Sequence, residues 1–377
     1  MPSEVTGILD EAYGRLHATG PEFEGWLSNH GPMVAEAMAH RGHAGTVHRW
    51  LDGYVRRLEE FPRGTGPIGP GWRDALGDPR RIADWTGYFR RELAMRPWRH
   101  VLGTWWPRLL PGVAAAATHG VIRTGHAVRA LLTDGDDPAH VTELAHGLAY
   151  WAARWQPVPG AQERRRPAPG PRSAGLTPAA ALAAVPRIAG QSGGIRERLP
   201  RLARLAGWPA VLSAAPIPES AQEIRAWLAG LADAAAIRYL EYGHGNPIML
   251  VHSATAPTAI LRTLPALSED LWAPSAAAAW AAATALTALY APAVPAPRDA
   301  LPDPPGGLQP AGEAFARAVE HGDEHVIKFA DTAADVHART GNPAALAAEW
   351  ITCVPGTTAN MGQPGRADAR RTPPVSP

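Results

Sequence analysis

The stretch SAQEIRAWLAGLADAAAIRYLEY, residues 220–242, decides the fold class of this chain. Its apolar residues recur at intervals of three and four, which is the period of an α-helix with one buried face. Ser220 and Glu223 stand at the spacing of a capping box, in which two side chains satisfy free backbone N–H groups at the start of a helix. The segment therefore predicts a long helix that begins beside Ser220.

The same period recurs along most of the chain, for example in VTELAHGLAYWAARW (141–155). Alternating β-branched runs are scarce, and strands do not alternate with crossover helices as a doubly wound sheet requires. We therefore predict an all-α protein: a single large helical domain, residues 1–361, with long loops rich in proline and glycine. Residues 156–176 are predicted to be an exposed linker, and residues 362–377 a disordered C-terminal tail.

Composition excludes several classes of function. The formal net charge is +1, whereas a dedicated nucleic-acid surface needs a concentrated basic excess. Cys353 is the single cysteine, so the sequence has neither a disulfide framework nor a thiolate metal cluster, and a metal would need histidine, carboxylate or some less usual ligand. The segment GTGPIG (64–69) matches a dinucleotide-binding pattern, but it follows a helical segment and Pro67 removes a backbone donor. We reject it as a cofactor site.

Two features predict a cytoplasmic protein without a membrane partner. The start of the sequence, MPSEVTGILDEAYGRL, contains acidic residues and lacks the basic and apolar regions of a signal peptide. Residues 275–294 are apolar for almost the length of a membrane span, but alanine is only weakly apolar and prolines stand at both ends. A buried helix is the prediction for this segment.

Lys328, in EHGDEHVIKFADTA (320–333), is the only lysine, although the sequence contains 36 lysine and arginine residues together. Arginine meets the structural needs for a cation, but its pKa stays above about 12, so it cannot lose its proton and act as a nucleophile. A single retained lysine therefore indicates amine chemistry. The alternative is a composition biased toward alanine, glycine, proline and arginine, in which one lysine was left by chance.

Histidines share helix faces with other polar groups at two places. In THGVIRTGHAVRALL (118–132), His119, Arg123 and His126 are spaced so that a continuous helix unbroken by its glycines would place them on one face. Such a face, if buried, must be hydrogen-bonded, solvated or bound to a ligand. His325 and Lys328 share a face in the same way, so the lone amine lies beside an imidazole.

Two further histidines have informative surroundings. His30, in LSNHGPMVAEAM (27–38), precedes Gly31-Pro32, a pattern typical of a loop that delivers a side chain at the entrance of a helix. His252 ends an apolar run in IMLVHSATAP (248–257), which predicts a buried position. The sequence does not reveal the partner of either imidazole.

Four stretches, LSNHGPMVAEAM, HGVIRTGHAVRAL, ELAHGLAYWAARW and DEHVIKFADTA, together resemble the questin oxidase-like family, over about residues 10–355. The resemblance implies an α-helical oxidoreductase related to fungal enzymes of polyketide secondary metabolism that open anthraquinone rings. The reaction it implies is a Baeyer–Villiger type oxidation or a ring-cleaving dioxygenation, with O2 and a small aromatic substrate. It further implies non-haem Fe(2+) held by four histidines and a carboxylated lysine. NADPH is associated with the family as a reductant, but the sequence shows no site for it.

Transferred to this sequence, the resemblance implies that Lys328 is the carboxylated lysine. Five histidines are candidates for the four imidazole positions: His30, His119, His126, His252 and His325. Arg123 would stabilise a phenolate or oxyanion of the substrate. Two other functions stay open, namely a Schiff base between Lys328 and a carbonyl substrate, and a helical ligand-binding protein without catalytic activity.

Overall fold

Residues 4–161, 177–214, 217–303 and 309–347 are described by a computed structural model of the chain. The structure is 71% helical, and its two strands form one small sheet. The all-α single domain predicted from the sequence is therefore confirmed. Cys353 and the predicted tail, 362–377, lie outside the described residues, as does the greater part of the predicted linker.

The α-helices are α1 (Glu4–His17), α2 (Gly31–His40), α3 (Val47–Tyr54), α4 (Ile82–Met95), α5 (Trp98–Leu109), α6 (His119–Thr133), α7 (Pro138–Ala153), α8 (Pro178–Ala183), α9 (Ile195–Arg198), α10 (Trp208–Ser213), α11 (Ala221–Tyr242), α12 (Pro247–Leu250), α13 (His252–Thr263), α14 (Trp272–Tyr290), α15 (Pro310–His321), α16 (Glu324–Thr340) and α17 (Ala344–Ala347). Short 3-10 helices join several of them. The strands β1 (Glu22–Phe23) and β2 (Leu27–Ser28) form an antiparallel hairpin between α1 and α2.

Helix α11 begins where the sequence predicts. The Ser220 hydroxyl accepts a hydrogen bond from the backbone N–H of Glu223 at 3.3 Å and donates one to the Glu223 carboxylate at 2.8 Å. The alanine-rich segment forms α14, whose C-terminal half is buried. Among the described residues, no helix combines the length and the apolarity needed to cross a membrane.

The first residues of the predicted linker belong to the folded domain. Gln156 forms a parallel bridge with Val113, Val158 is buried, and the Trp208 indole N–H donates to the carbonyl of Pro159 at 2.8 Å. Val158 reaches the core, although the Pro/Gly-rich composition of this segment predicted an exposed linker. The folded domain therefore extends past residue 156, the predicted start of the linker.

Helix α6 lies at the centre, because every residue from 119 to 131 is buried. It packs against α2, α7 and α13. Two glycines allow this close packing: a Cβ at Gly120 would lie 2.8 Å from Trp151 of α7, and one at Gly125 would lie 2.7 Å from the Cβ of Ala259 of α13. The glycines therefore let the neighbouring helices approach and do not break α6.

The Gly125→Ala substitution is expected to destabilise the protein by about 1–3 kcal/mol, because the added methyl group would overlap α13. Gly103→Ala in α5 is the matched control, since a Cβ there meets nothing within 4 Å. Alanine forms helices better than glycine, so this control should be neutral or stabilising. Urea unfolding measures both variants, and equal free energies of unfolding would contradict the packing argument.

Candidate metal centre

Four buried histidines meet inside the domain: His30, His119, His252 and His325. Each offers one ring nitrogen, and these four atoms all lie within 4.8 Å of one another. A search of the His, Cys, Asp and Glu side chains in the described part of the chain finds these four histidines at a spacing that suits a metal ion. The structure therefore contains a possible metal site built from imidazoles.

Each of these histidines stands at the beginning of a helix. His30 is the N-cap residue of α2, His119 and His252 are the first residues of α6 and α13, and His325 is the second residue of α16. The N-terminal ends of four helices therefore converge on one point. Local sequence explains two of these helix starts: Pro32 fixes the first turn of α2, and the Asp323 carboxylate caps α16.

The His119 Nε2 atom is the centre of the cluster. It lies 2.8 Å from His30 Nε2, 3.0 Å from His252 Nε2 and 3.4 Å from the Lys328 amine. His119 Nδ1 lies 2.6 Å from the carbonyl oxygen of Ala116, which can only accept, so Nδ1 carries the proton and Nε2 carries a lone pair. One lone pair accepts one hydrogen bond, yet three nitrogen atoms converge on it.

A shared metal ion accounts for this convergence. Two imidazole nitrogens bonded to one ion at about 2.1 Å, at a right angle, lie about 3.0 Å apart. The separations of 2.8 and 3.0 Å around His119 Nε2 match this spacing. A shared metal ion therefore explains the spacing of these ring nitrogens better than hydrogen bonds between the histidines do.

The backbone before His119 adopts an unusual conformation. Ala116, Ala117 and Thr118 have φ angles of 46°, 55° and 73°, which is a left-handed turn without glycine. Left-handed conformation costs about 1–2 kcal/mol for each such residue. The turn places the Ala116 carbonyl against His119 Nδ1, and a carbonyl in that position fixes the tautomer and the orientation of a metal-binding imidazole. The strain is therefore concentrated where it orients a candidate ligand.

Carboxylates lie behind two of the other imidazoles. Asp323 accepts hydrogen bonds from the backbone N–H groups of His325 and Val326, and its oxygen lies 3.5 Å from His325 Nδ1. Glu324 lies 3.8 Å from His30 Nδ1 and pairs with Arg57 at 2.7 Å. Asp323 is therefore placed to orient the His325 ring, whereas His30 Nδ1 has no hydrogen-bond partner within the described residues.

The surroundings favour neutral imidazoles. Burial, followed by the nearby Lys328 or a neighbouring imidazole, holds the pKa of His30, His119 and His252 well below its ordinary value. A neutral imidazole has the lone pair that a metal ion needs. A metal ion that binds at neutral pH would therefore not have to displace the additional proton of a charged imidazolium from these three rings.

Lys328 lies with the histidines, as the sequence analysis predicts. Its side chain is 1% exposed, and its hydrogen-bond partner within the described residues is His119. Burial lowers the pKa of the amine to about 7, against the opposing effect of Glu324 and Asp323. The lowered pKa therefore makes the unprotonated amine accessible near neutral pH.

His126 does not join the cluster, which corrects one of the five histidine candidates. Its Nδ1 lies 2.6 Å from the carboxylate of Glu36 on α2. Helix α6 is buried on every side, so His119, Arg123 and His126 meet different neighbours although their spacing suggested one common face. The signal available in the sequence was Glu36 itself, the one acidic residue inside the apolar segment GPMVAEAMAH.

Arg123 is also engaged elsewhere. Its guanidinium donates two hydrogen bonds to Glu143 on α7, at 2.6 and 2.8 Å, and His17 lies 2.8 Å from the same carboxylate. Within the described residues, the Arg123 side chain donates its hydrogen bonds to Glu143. The predicted role in stabilising a substrate anion therefore has no support in this geometry.

A buried ion network ties together the helices that supply the histidines. Asp331 of α16 accepts hydrogen bonds from Arg129 of α6 at 3.0 Å, and from Arg41 at the end of α2 at 2.8 Å. Arg262 of α13 lies 2.8 Å from the same carboxylate. Glu36 and Asp335 complete the network, which holds three guanidiniums and three carboxylates. The sequence alone does not indicate this arrangement, because its members lie on four separate helices.

The donor set defines what the centre can do. Four imidazole nitrogen donors and one buried amine with a lowered pKa can hold a transition-metal ion and keep bulk water away from it. Comparison with protein-family models and with curated proteins gives no match for the sequence.

Proposed function

We propose that the protein is a non-haem Fe(II)-dependent oxygenase that opens a polycyclic aromatic or quinone of the polyketide type, by a Baeyer–Villiger-like or ring-cleaving oxidation. The observation that carries the metal site is the convergence of two imidazoles and one amine on the single lone pair of His119 Nε2. The resemblance of the sequence to the questin oxidase-like family supports the substrate class. A ligand set of imidazoles with one anionic oxygen donor suits Fe(II), which activates O2 when bound.

Lys328 would supply the oxygen donor as a carbamate. The unprotonated amine forms an N–C bond to CO2 and loses a proton, and the product is a carboxylate-like anion on the lysine side chain. The lowered pKa of Lys328 provides the reactive amine near neutral pH. Arginine cannot undergo this reaction, which gives a reason for one lysine among arginines.

The remaining groups of the site would bind the metal ion or orient its imidazole ligands. His30, His119, His252 and His325 would bind the ion, while Ala116 and Asp323 fix two of the rings from outside. Burial of all five donors limits access of water to the reacting atoms. NADPH as reductant and a cytoplasmic location stay predictions.

Metal analysis of protein purified without a polyhistidine tag tests the proposal, together with O2 uptake in the presence of a hydroxylated anthraquinone. We expect about one iron ion per chain and substrate-dependent O2 consumption. Protein that binds the quinone but contains no metal and consumes no O2 would favour a ligand-binding role. Borohydride reduction distinguishes the Schiff-base alternative, since it would trap substrate on Lys328, whereas a carbamate is not trapped.

Lys328→Arg is expected to lower iron occupancy at least about tenfold, because arginine keeps the cation and cannot form a carbamate. Lys328→Glu is the informative second variant, because it restores a carboxylate at this position. We expect Lys328→Glu to recover part of the iron that Lys328→Arg loses. Full iron occupancy in Lys328→Arg would refute the carbamate.

A further inference from the structure

One ring nitrogen of the histidine cluster lacks the outer partner that metal-binding imidazoles normally have. His30 Nε2 faces the other candidate ligands, since it lies 2.8 Å from His119 Nε2. The second nitrogen of the same ring, Nδ1, is buried and has no hydrogen-bond partner within the described residues. By contrast, His119 Nδ1 lies 2.6 Å from the Ala116 carbonyl oxygen. The His30 ring is therefore fixed from outside less completely than the His119 ring.

A metal ion bound to Nε2 would determine the state of His30 Nδ1. A neutral imidazole carries one proton on its two nitrogens, so an ion bonded to Nε2 leaves that proton on Nδ1. A buried N–H group without an acceptor is unfavourable, because it has lost its hydrogen bonds to water. The metal-loaded site therefore needs an oxygen acceptor close to His30 Nδ1.

The Glu324 carboxylate is placed to be that acceptor. Its Oε1 atom lies 3.8 Å from His30 Nδ1, which is about 1 Å longer than a good hydrogen bond. The same oxygen lies 2.7 Å from the guanidinium of Arg57. A carboxylate oxygen has two lone pairs, so Glu324 can keep Arg57 and accept a hydrogen bond from the imidazole as well. A small rotation of one side chain therefore completes the contact.

The surroundings hold both partners of this contact in place. The Tyr54 hydroxyl accepts a hydrogen bond from the backbone N–H of His30 at 2.6 Å, and the Arg57 guanidinium lies 4.4 Å from the centroid of the Tyr54 ring. Trp50 stacks on Tyr54, and its indole N–H donates to the carbonyl of Gly322 at 2.8 Å, just before the start of α16. The end of α3 and the turn after it therefore link His30 to the start of α16.

We propose that Glu324 is a positioning residue of the metal centre. Its carboxylate accepts a hydrogen bond from His30 Nδ1–H once Nε2 binds the ion, and so fixes the ring in its ligating orientation. Arg57 keeps the carboxylate within reach of the ring. This role rests on the metal site of the proposed function, but not on the reaction or the substrate.

Three variants of Glu324 separate the hydrogen bond from the effect of charge. Glu324→Gln keeps an oxygen acceptor of the same reach without the charge, Glu324→Asp keeps the charge on a shorter side chain, and Glu324→Ala has neither. We expect Glu324→Ala to lower Co(II) affinity about 10- to 100-fold, Glu324→Asp to lower it almost as much, and Glu324→Gln to lose less than either. Anaerobic equilibrium dialysis of the full-length protein measures the affinities, and circular dichroism checks that each metal-free variant is folded.

Proton NMR of the Zn(II)-loaded full-length protein, labelled with 15N-histidine, detects the hydrogen bond itself. A histidine N–H that is bonded to an acceptor and shielded from water exchanges slowly and gives a separate low-field signal. We expect one such signal in the wild-type protein and in Glu324→Gln that is missing from Glu324→Ala. A general loss of stability would not remove a single histidine signal.

Glu313→Ala is the matched control, because Glu313 is an exposed carboxylate in the first turn of another helix, α15. It should leave Co(II) affinity and the histidine signals unchanged. Wild-type affinity and an unchanged set of signals in Glu324→Ala would overturn the role of Glu324 and leave the metal centre intact. Wild-type affinity in Glu324→Asp, with Glu324→Gln as weak as Glu324→Ala, would show that only the charge matters and would also overturn it. Failure of the wild-type protein to bind Co(II) would overturn the metal centre and this role together.

Discussion

His119→Ala is expected to lower metal affinity more than about 100-fold, whereas His126→Asn leaves it nearly unchanged. His119 Nε2 is the atom on which His30, His252 and Lys328 converge, so its loss removes the centre of the donor set. His126 lies seven residues further along the same helix, but its ring is bonded to Glu36. Two histidines that look equivalent in the sequence should therefore differ sharply in their effect.

Equilibrium dialysis against Fe(II) or Co(II) under anaerobic conditions measures both affinities, and circular dichroism checks that both variants retain the helical fold. Loss of the metal from His126→Asn at full helicity would contradict the assignment. Retention of the metal by His119→Ala would exclude a common ion at the four histidines. The comparison therefore decides which four of the five candidate histidines bind.

Asp331→Asn is expected to destabilise the protein by about 3–5 kcal/mol, because it leaves buried guanidiniums without their shared carboxylate. Asp331 is fully buried and contacts Arg41, Arg129 and Arg262. Asp52→Asn is the control, because its pair with Arg15 is largely exposed and should contribute less than about 1 kcal/mol. Urea unfolding measures both differences, and similar values would show that the network contributes little.

The pH dependence of stability follows from the same carboxylate. The arginines hold the pKa of Asp331 well below its ordinary value, against the effect of burial. The unfolded state therefore takes up protons first as the pH falls through about 4, and the stability contributed by Asp331 is present above that pH and is lost below it. We expect the free energy of unfolding of the wild-type protein to fall more steeply below pH 4 than that of Asp331→Asn.

Much of the fold could be predicted because helical periodicity and capping are local properties. Ser220 and Glu223 mark the start of α11, while Pro32 in the first turn of α2 and Asp323 before α16 are the local signals that place His30 and His325 at helix starts. Lys328 could be singled out by composition alone. These features need no knowledge of tertiary contacts.

The partners of the buried charges could not be predicted in the same way. Glu36 and His126 are 90 residues apart, and Arg129 and Asp331 are 202 residues apart. A helical period shows which face a side chain occupies, but α6 is enclosed on every face, so the period could not separate His119 from His126. The left-handed turn at Ala116–Thr118 could not be predicted from the sequence either, because alanine and threonine rarely adopt that conformation.

The convergence of four helix starts on the histidine cluster has an electrostatic consequence. Each helix carries roughly half a positive charge at its amino-terminal end, from aligned peptide dipoles and free N–H groups. The helices α2, α6, α13 and α16 thus add a positive contribution to the potential at the cluster, where the carboxylates of Asp323 and Glu324 act in the opposite direction. At the proposed metal centre the helix ends should therefore favour anionic ligands: small anions such as azide or cyanate should bind to the metal-loaded protein more tightly than neutral molecules of similar size.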